Sequence, residues 1–100
     1  MRFTLRQIQV FVAVARAENV SLAAESLALS QSAASAALAE LESRCAQPLF
    51  DRHGKRLRIN EQGSLLLPHA VELLDRAAEF EGRMRGEQGL GPLRVGATLT

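Results

Sequence analysis

The chain of 100 residues contains one cysteine, two histidines and no long apolar run. A disulfide bond or a cysteine-clustered zinc site needs more than one thiol, so the lone Cys45 excludes both within the chain, which suits a reducing compartment. The apolar runs fall well short of the roughly 18 to 20 residues that span a bilayer. We therefore expect a cytoplasmic protein without a membrane partner.

The two histidines give little support for an enzyme. A catalytic or metal-binding histidine needs an orienting partner or further ligands at a regular spacing. His53 stands in a turn among basic residues and His69 follows Pro68, and no such spacing connects them. We interpret both as solvated side chains and predict no catalytic activity, no metal and no cofactor for these residues.

An excess of charge of one sign is also missing, since the formal net charge is +1. A total this small does not by itself indicate a nucleic-acid partner. The distribution is more informative: residues 1–60 carry eight Lys or Arg against five Asp or Glu, whereas residues 61–100 carry four against six. The basic surplus therefore belongs to the front of the chain.

Apolar spacing predicts two helices in the first part of the sequence. From Leu5 to near Asn19, apolar residues recur every three or four positions, as in a helix with one buried stripe. Ser21 is a candidate N-cap for a short second helix with small side chains, which allow another helix to cross closely. The short break at 28–30 leaves room only for a tight turn.

A third helix and a hairpin follow. Ser30 is a candidate N-cap, and the apolar pattern after it predicts a helix from Gln31 to about Arg44. Between residues 48 and 60, alternating basic and apolar side chains predict a short β-hairpin with Gly54 in its turn. The expected fold class is mainly α: a winged helix-turn-helix, with three helices and a β-hairpin wing, followed by one long helix.

The long fourth helix is predicted to begin after Asn60, a candidate N-cap. Pro68 removes one helical hydrogen bond, so we expect either a kink there or a helix whose regular part begins near Leu67. A heptad spacing of 4, 3, 4, 3 and 4 positions predicts a helix-packing seam. Its residues are Leu66, Ala70, Leu73, Ala77, Phe80 and Met84.

These patterns divide the chain into three segments. Residues 1–60 form the winged helix-turn-helix domain, and residues 61–88 form a linker and dimerisation helix. Glycine and proline follow, and we expect residues 89–100 to be a hinge and the first strand of a further domain that this sequence does not include. The chain is therefore interpreted as part of a longer protein.

The first turn of the third helix carries side chains suited to reading DNA. A helix packed on two others can enter the major groove, which is roughly 12 Å wide. Gln31 can pair with adenine, while Ser32 and Ser35 can donate or accept hydrogen bonds. Ala36 can contact a thymine methyl group. For the two serines, capping or solvating the helix is an equally good interpretation.

The hairpin supplies positive charge beside that helix. Four cations within seven positions can neutralise phosphates or enter a narrow minor groove: Arg52, Lys55, Arg56 and Arg58. The predicted helix N-termini at Ser21 and Ser30 can offer backbone N–H groups to phosphates. A run of charge is more often a solvated face, but its place beside a helix-turn-helix favours contact with a duplex.

The same residues resemble the N-terminal signature of LysR-type transcription regulators. The resemblance covers residues 3 to about 85 and is specific in combination. It rests on Ala23, Ala24, Leu27, Ser30, Gln31, Ser32, Ala33, Ser35, Leu38, Leu41, Glu42, Leu49, Phe50, Asp51, Arg52, Asn60, Glu61 and Gly63.

That resemblance implies a bacterial regulator with defined roles for these positions. Gln31, Ser32, Ser35 and Ala36 would face the bases, and Arg52 would lie in the wing. The fourth helix would be the linker helix of an antiparallel-packed dimer. A small-molecule effector would bind only in the domain that follows, which would also govern a tetramer.

Three departures from the family pattern bear on the operator. Ala36 stands where arginine is frequent, Asn60 where threonine is usual, and residues 45–47 replace a more common leucine and glycine turn. Arginine at position 36 would be a strong donor, and a bidentate base pair is worth about 1 to 3 kcal/mol of discrimination. We therefore hypothesise that this chain relies more on wing contacts and DNA shape.

A helical adaptor that binds protein through the fourth-helix seam is the alternative interpretation. It accounts for the seam but not for a polar recognition helix next to a basic wing. A dimeric reader of double-stranded DNA would recognise an interrupted inverted repeat. We call the winged helix-turn-helix domain of each copy its head. With about four phosphate contacts per head, the logarithm of the DNA-binding constant is expected to fall with log salt at a slope of about −7.

Overall fold

The structure, a computed structural model that describes residues 2–86, has the predicted order of elements. Its described elements are α1 Leu5–Ala17, α2 Val20–Ser26, α3 Gln31–Cys45, β1 Phe50–His53, β2 Arg56–Ile59 and α4 Glu61–Met84. This confirms a mainly helical fold in which three helices and a hairpin precede one long helix. The predicted hinge and strand of residues 89–100 lie outside the described residues.

Helix α1 begins at a capping box formed by Thr4 and Gln7. The N–H of Gln7 donates to Oγ1 of Thr4, and the N–H of Thr4 donates back to Oε1 of Gln7, each over 3.1 Å. The side chain of Gln7 is buried, and its Nε2 donates to Oε1 of Glu40 in α3. One buried amide therefore both starts α1 and connects it to α3.

The caps of α2 and α3 test two sequence predictions. The prediction that Ser21 caps α2 is wrong, because the extended residue Asn19 takes that place and accepts from the N–H of Leu22 over 2.9 Å. Ser21 is instead the second residue of the helix. Ser30 is confirmed as the cap of α3, since its Oγ accepts from the N–H of Ala33 over 3.1 Å.

The core joins the first three helices to the hairpin. Its largest fully buried side chains are Phe11, Leu38, Leu49, Val10 and Val14. The ring of Phe11 meets the ring of Phe50 edge-on, with centroids 5.7 Å apart, which fixes the start of β1 on α1. Small buried residues of α2 and α3, Ala23, Ala24 and Ala34, let these helices pack closely.

The hairpin is antiparallel and leads directly into α4. Gly54, with φ of 65°, lies in its turn as predicted. The side chain of Asn60 caps α4 by accepting from the N–H of Gly63 over 2.8 Å, and its Nδ2 donates to the carbonyl of Pro48 over 2.9 Å. Gly63 packs so closely on the carbonyl of Leu49 and on Ile59 that a Cβ atom would overlap both.

Helix α4 is one continuous helix with Pro68 inside it. The alternative in which its regular part begins near Leu67 is wrong, because the Asn60 cap starts the helix at Glu61. Within residues 2–86, no helix combines the length and the apolar character needed to cross a membrane.

Candidate nucleic-acid interface

The first turns of α2 and α3 and the turn of the hairpin enclose a polar cleft. It has a volume of about 290 Å³. Its lining residues are Asn19, Val20, Ser21, Gln31, Ser35, Arg52, Gly54, Lys55 and Leu57. The fold thus brings together two of the predicted base-reading residues, two wing cations and one predicted backbone contact, although they lie up to 34 positions apart in sequence.

Helix α3 presents its predicted reading face to solvent. Gln31, Ser32, Ser35 and Ala36 are all exposed. The opposite face packs into the core through Ala34, Ala37, Leu38 and Leu41. The buried stripe fixes the rotation of the helix, so its outward first turn is available to a ligand as large as a duplex.

A side-chain hydrogen bond joins α2 to the reading face. Oγ of Ser21 donates to Oε1 of Gln31 over 2.8 Å. This bond holds the amide of Gln31 in one orientation and leaves the two N–H donors of Nε2 for another acceptor. The phosphate contact predicted near Ser21 involves backbone N–H groups, so it is compatible with this bond of the side chain to α3.

The arginines of the wing lie on opposite faces of the hairpin. Arg52 is directly opposite Leu57 in the register, so both side chains lie on one face of the hairpin. Arg56 and Arg58 alternate with Leu57 and therefore lie on the other face. Arg52, with Lys55 of the turn, lines the cleft beside α3.

Arg56 and Arg58 share one carboxylate at the end of α1. Nε of Arg56 lies 2.9 Å from Oε1 of Glu18, and Nε of Arg58 lies 3.9 Å from Oε2. The carbonyl of Glu18 also accepts from the N–H of Leu57 over 3.0 Å. The sequence does not distinguish the four cations or indicate Glu18 as a partner, because 38 positions separate Glu18 from Arg56 and no local pattern marks the pair.

The predicted seam of α4 has two parts. Leu66, Ala70 and Leu73 pack against the core of the same chain, where they line an apolar groove of about 580 Å³ between α1, α3 and α4. Further along α4, Ala77 and Phe80 line a second groove with Leu5 of α1. The side chains of Phe80 and Met84 are 66% and 70% exposed, so this second part presents large apolar side chains to solvent.

Cys45 lies in the first groove, away from the polar cleft. Burial and, to a smaller extent, the carboxylate of Glu42 raise the pKa of its thiol. Glu42 itself accepts from the N–H of Leu49 over 2.8 Å and so holds the loop between α3 and β1. A thiol with a raised pKa stays protonated at neutral pH and is a poor nucleophile.

A helix-turn-helix pair whose second helix is exposed at its first turn, with a basic hairpin beside it, defines a winged helix-turn-helix domain. The sequence profile of one family with this architecture, described as bacterial regulatory helix-turn-helix protein, lysR family, matches residues 5–64. The chain belongs to the LysR family, as its N-terminal residues had predicted.

Relatives named as transcription regulators agree with this assignment. The chain is 47% identical over 100 residues to the uncharacterized HTH-type transcriptional regulator YeiE of Escherichia coli K12, covering all of this chain and 33% of the relative. It is 36% identical over 98 residues to the regulator CbbR of Rhodospirillum rubrum, covering 96% of this chain and 33% of the relative. The chain thus spans about a third of the length of these curated relatives.

Solved structures share the fold. An H2O2-bound mutant of OxyR from Corynebacterium glutamicum superposes with a TM-score of 0.82 at 34% identity, over 86% of this chain and 27% of that chain. The DBD of CbnR, solved in complex with DNA, superposes with a TM-score of 0.76 at 28% identity. That match covers 84% of this chain and 97% of the CbnR chain.

Proposed function

We propose that this domain reads double-stranded DNA for a bacterial transcription regulator, with α3 in the major groove and the hairpin on the adjoining backbone or minor groove. The cleft carries the proposal, because it sets the exposed first turn of α3 beside Arg52 and Lys55. A helix with side chains is about 10 to 12 Å across, which fits the roughly 12 Å major groove.

Base recognition is assigned to the exposed face of α3. The free Nε2 donors of Gln31 suit an acceptor on a base edge, and the hydroxyls of Ser32 and Ser35 can donate or accept. The methyl group of Ala36 can contact a thymine methyl. The related CbnR domain, which has the same fold, was solved in complex with DNA, and this supports DNA binding by the domain as a whole.

Backbone contacts are assigned first to Arg52 and Lys55. Both line the cleft, and neither is among the ion pairs of residues 2–86. The backbone N–H groups at the starts of α2 and α3, near Ser21 and Ser30, add neutral donors to phosphates. In a dimer, two cations per head release about four counterions, so the salt slope is about −4 rather than the −7 expected when all four cations are counted.

Dimerisation is assigned to α4. Phe80 and Met84 continue the heptad seam beyond the head and are exposed, as expected of side chains that a second copy covers. A two-fold dimer would place one α3 in each half of an interrupted inverted repeat. We retain the division into a reading domain at 1–60 and a dimerisation helix at 61–88. A full-length cytoplasmic regulator would add an effector domain and form a tetramer.

Selection from a randomised duplex library tests the proposal. We expect enrichment of an interrupted inverted repeat, with an affinity that falls with salt at a slope of about −4. Arg52→Ala, which removes a cleft cation from an exposed position, is expected to bind the selected duplex more weakly and with a shallower salt slope. A dimer that enriches no duplex would overturn the proposal and favour the helical adaptor that binds protein through α4.

A further inference from the structure

Glu18 is held in a backbone conformation that its residue type disfavours. It ends α1 with φ of 57° and ψ of 26°, in the left-handed region. Glycine is the usual residue at such a helix end, because a Cβ atom is strained there. The chain thus places a long acidic side chain where the backbone alone favours no side chain.

That side chain points to the wing. Its carboxylate lies within 2.9 Å of Nε of Arg56 and 3.9 Å of Nε of Arg58, and its own carbonyl is bonded to the N–H between them, that of Leu57. Both arginine side chains remain more than 60% exposed. Both are therefore long, solvent-accessible cations near one carboxylate, which accepts a hydrogen bond from Arg56 and lies within ion-pair distance of Arg58.

We propose that Glu18 is a positioning residue that holds Arg56 and Arg58 on the face of the wing away from the cleft, so that Arg52 and Lys55 make the phosphate contacts. This inference rests on the proposed function. Removing the carboxylate frees two cations per head next to a surface that meets a polyanion. Glu18 thereby limits the part of the affinity that does not depend on sequence.

Two variants distinguish the effect of the Glu18 carboxylate from the effect of its left-handed backbone conformation. Glu18→Gln keeps the size of the side chain, and Glu18→Gly relieves the left-handed strain. In a dimer, each freed pair adds two phosphate contacts per head, so both variants are expected to change the salt slope from about −4 to about −7. Each doubling of salt then costs the variants about eightfold more affinity than the native chain. The change is expected on a scrambled duplex as well, because phosphates carry no sequence.

A second substitution tests whether Arg56 causes the change in salt slope. Arg56→Ala in the Glu18→Gln background removes one freed cation per head and is expected to bring the slope back to about −5. The exposed α2 variant Glu25→Gln controls for a general loss of negative charge and is expected to leave the slope unchanged. Without DNA, the Nε–H proton of Arg56 is expected to be protected from solvent exchange in NMR spectra of the native chain and exposed in Glu18→Gln.

The outcomes distinguish this inference from the proposed function. A native chain that selects no duplex contradicts the function, whatever Glu18 does. A native chain that selects an inverted repeat, with an equal slope in Glu18→Gln and Glu18→Gly, contradicts only the role of Glu18. Loss of the fold in both variants also overturns it, since Glu18 would then support the scaffold instead of holding the arginines.

Discussion

The hydroxyl of Ser21 donates to Oε1 of Gln31 over 2.8 Å and so joins the first turns of α2 and α3. Because this bond orients the Gln31 amide, Ser21→Ala is expected to relax discrimination at the base that Gln31 reads. The loss is about 1 kcal/mol, or roughly fivefold in the ratio of affinities. Competition among duplexes that differ at single positions measures it.

Ser26→Ala provides the control for that experiment. Ser26 lies on the same helix, but its hydroxyl donates to the carbonyl of Ala23 within α2. Its base profile is expected to match that of the native chain. Identical profiles for Ser21→Ala and Ser26→Ala would show that the bond to Gln31 plays no part in base selection.

Arg52 and Ser35 line the same cleft but are expected to contribute differently. Arg52→Ala removes one charge per head, so it lowers affinity more and makes the salt slope of a dimer shallower by about 2. Ser35→Ala is expected to change affinity less and to leave the slope unaltered. Titrations at several salt concentrations test the pair, and comparably small losses in both variants would contradict a dominant role for the wing.

Two alanines occupy positions that suit glycine. Ala28, with φ of 57°, lies in the turn before α3, and Ala46, with φ of 61°, ends α3. Both are exposed, so replacing them with glycine removes strain without a loss of packing. We expect each substitution to raise the free energy of unfolding by roughly 0.5 to 1 kcal/mol in urea denaturation.

Ala39→Gly is the opposite control for those variants. Ala39 is exposed in the middle of α3, where glycine costs about 1 kcal/mol of helix stability. An equal decrease in all three variants would mean that the left-handed positions carry no strain that glycine relieves.

Phe80→Glu tests the dimer without disturbing the head. Leu73 packs against the core of its own chain, so a charge there would weaken the fold as well as any dimer. Phe80 is exposed, and a carboxylate on the seam is expected to dissociate the dimer in sedimentation. Leu22→Glu makes the same change at an exposed leucine of α2. Only dissociation by Phe80→Glu, and not by Leu22→Glu, supports a seam on α4.

Gly63→Ala is expected to destabilise the chain. The added methyl group would overlap the carbonyl of Leu49 and the side chain of Ile59, and overpacking of this kind costs about 1 to 3 kcal/mol. Ser64→Ala, at an exposed position of the same helix, is expected to change stability by less than about 0.5 kcal/mol. Thermal unfolding compares the two variants, and equal melting temperatures would rule out close packing at Gly63.

Local patterns made most of the fold predictable. The spacing of apolar residues in α1 and α3, the caps at Ser30 and Asn60 and the turn at Gly54 each depend on neighbouring residues, and the structure has all of them. The cap of α2 was misplaced by two positions, since Asn19 and Ser21 are both good capping residues and sequence does not rank them.

Long-range relationships were not predictable in the same way. The opposite faces of Arg52 and Arg56 depend on the register of the hairpin, and the pairing with Glu18 depends on how α1 meets β2. A heptad pattern also does not show whether its apolar residues pack against the same chain or against a second copy. The head of the same chain covers the part of the seam around Ala70, whereas Phe80 stays exposed.

The Asn60 cap and the close packing of Gly63 join the winged helix-turn-helix head to α4 without an intervening loop. At about 1.5 Å per residue, the 24 residues of α4 are about 36 Å long, so a 10° tilt at the far end displaces the head by roughly 6 Å. That is close to the rise of two base pairs. In a dimer, a small change in the angle between the two α4 helices would therefore change the distance between the heads. The dimer would then fit half-sites with a different spacing, although no residue that touches a base had changed.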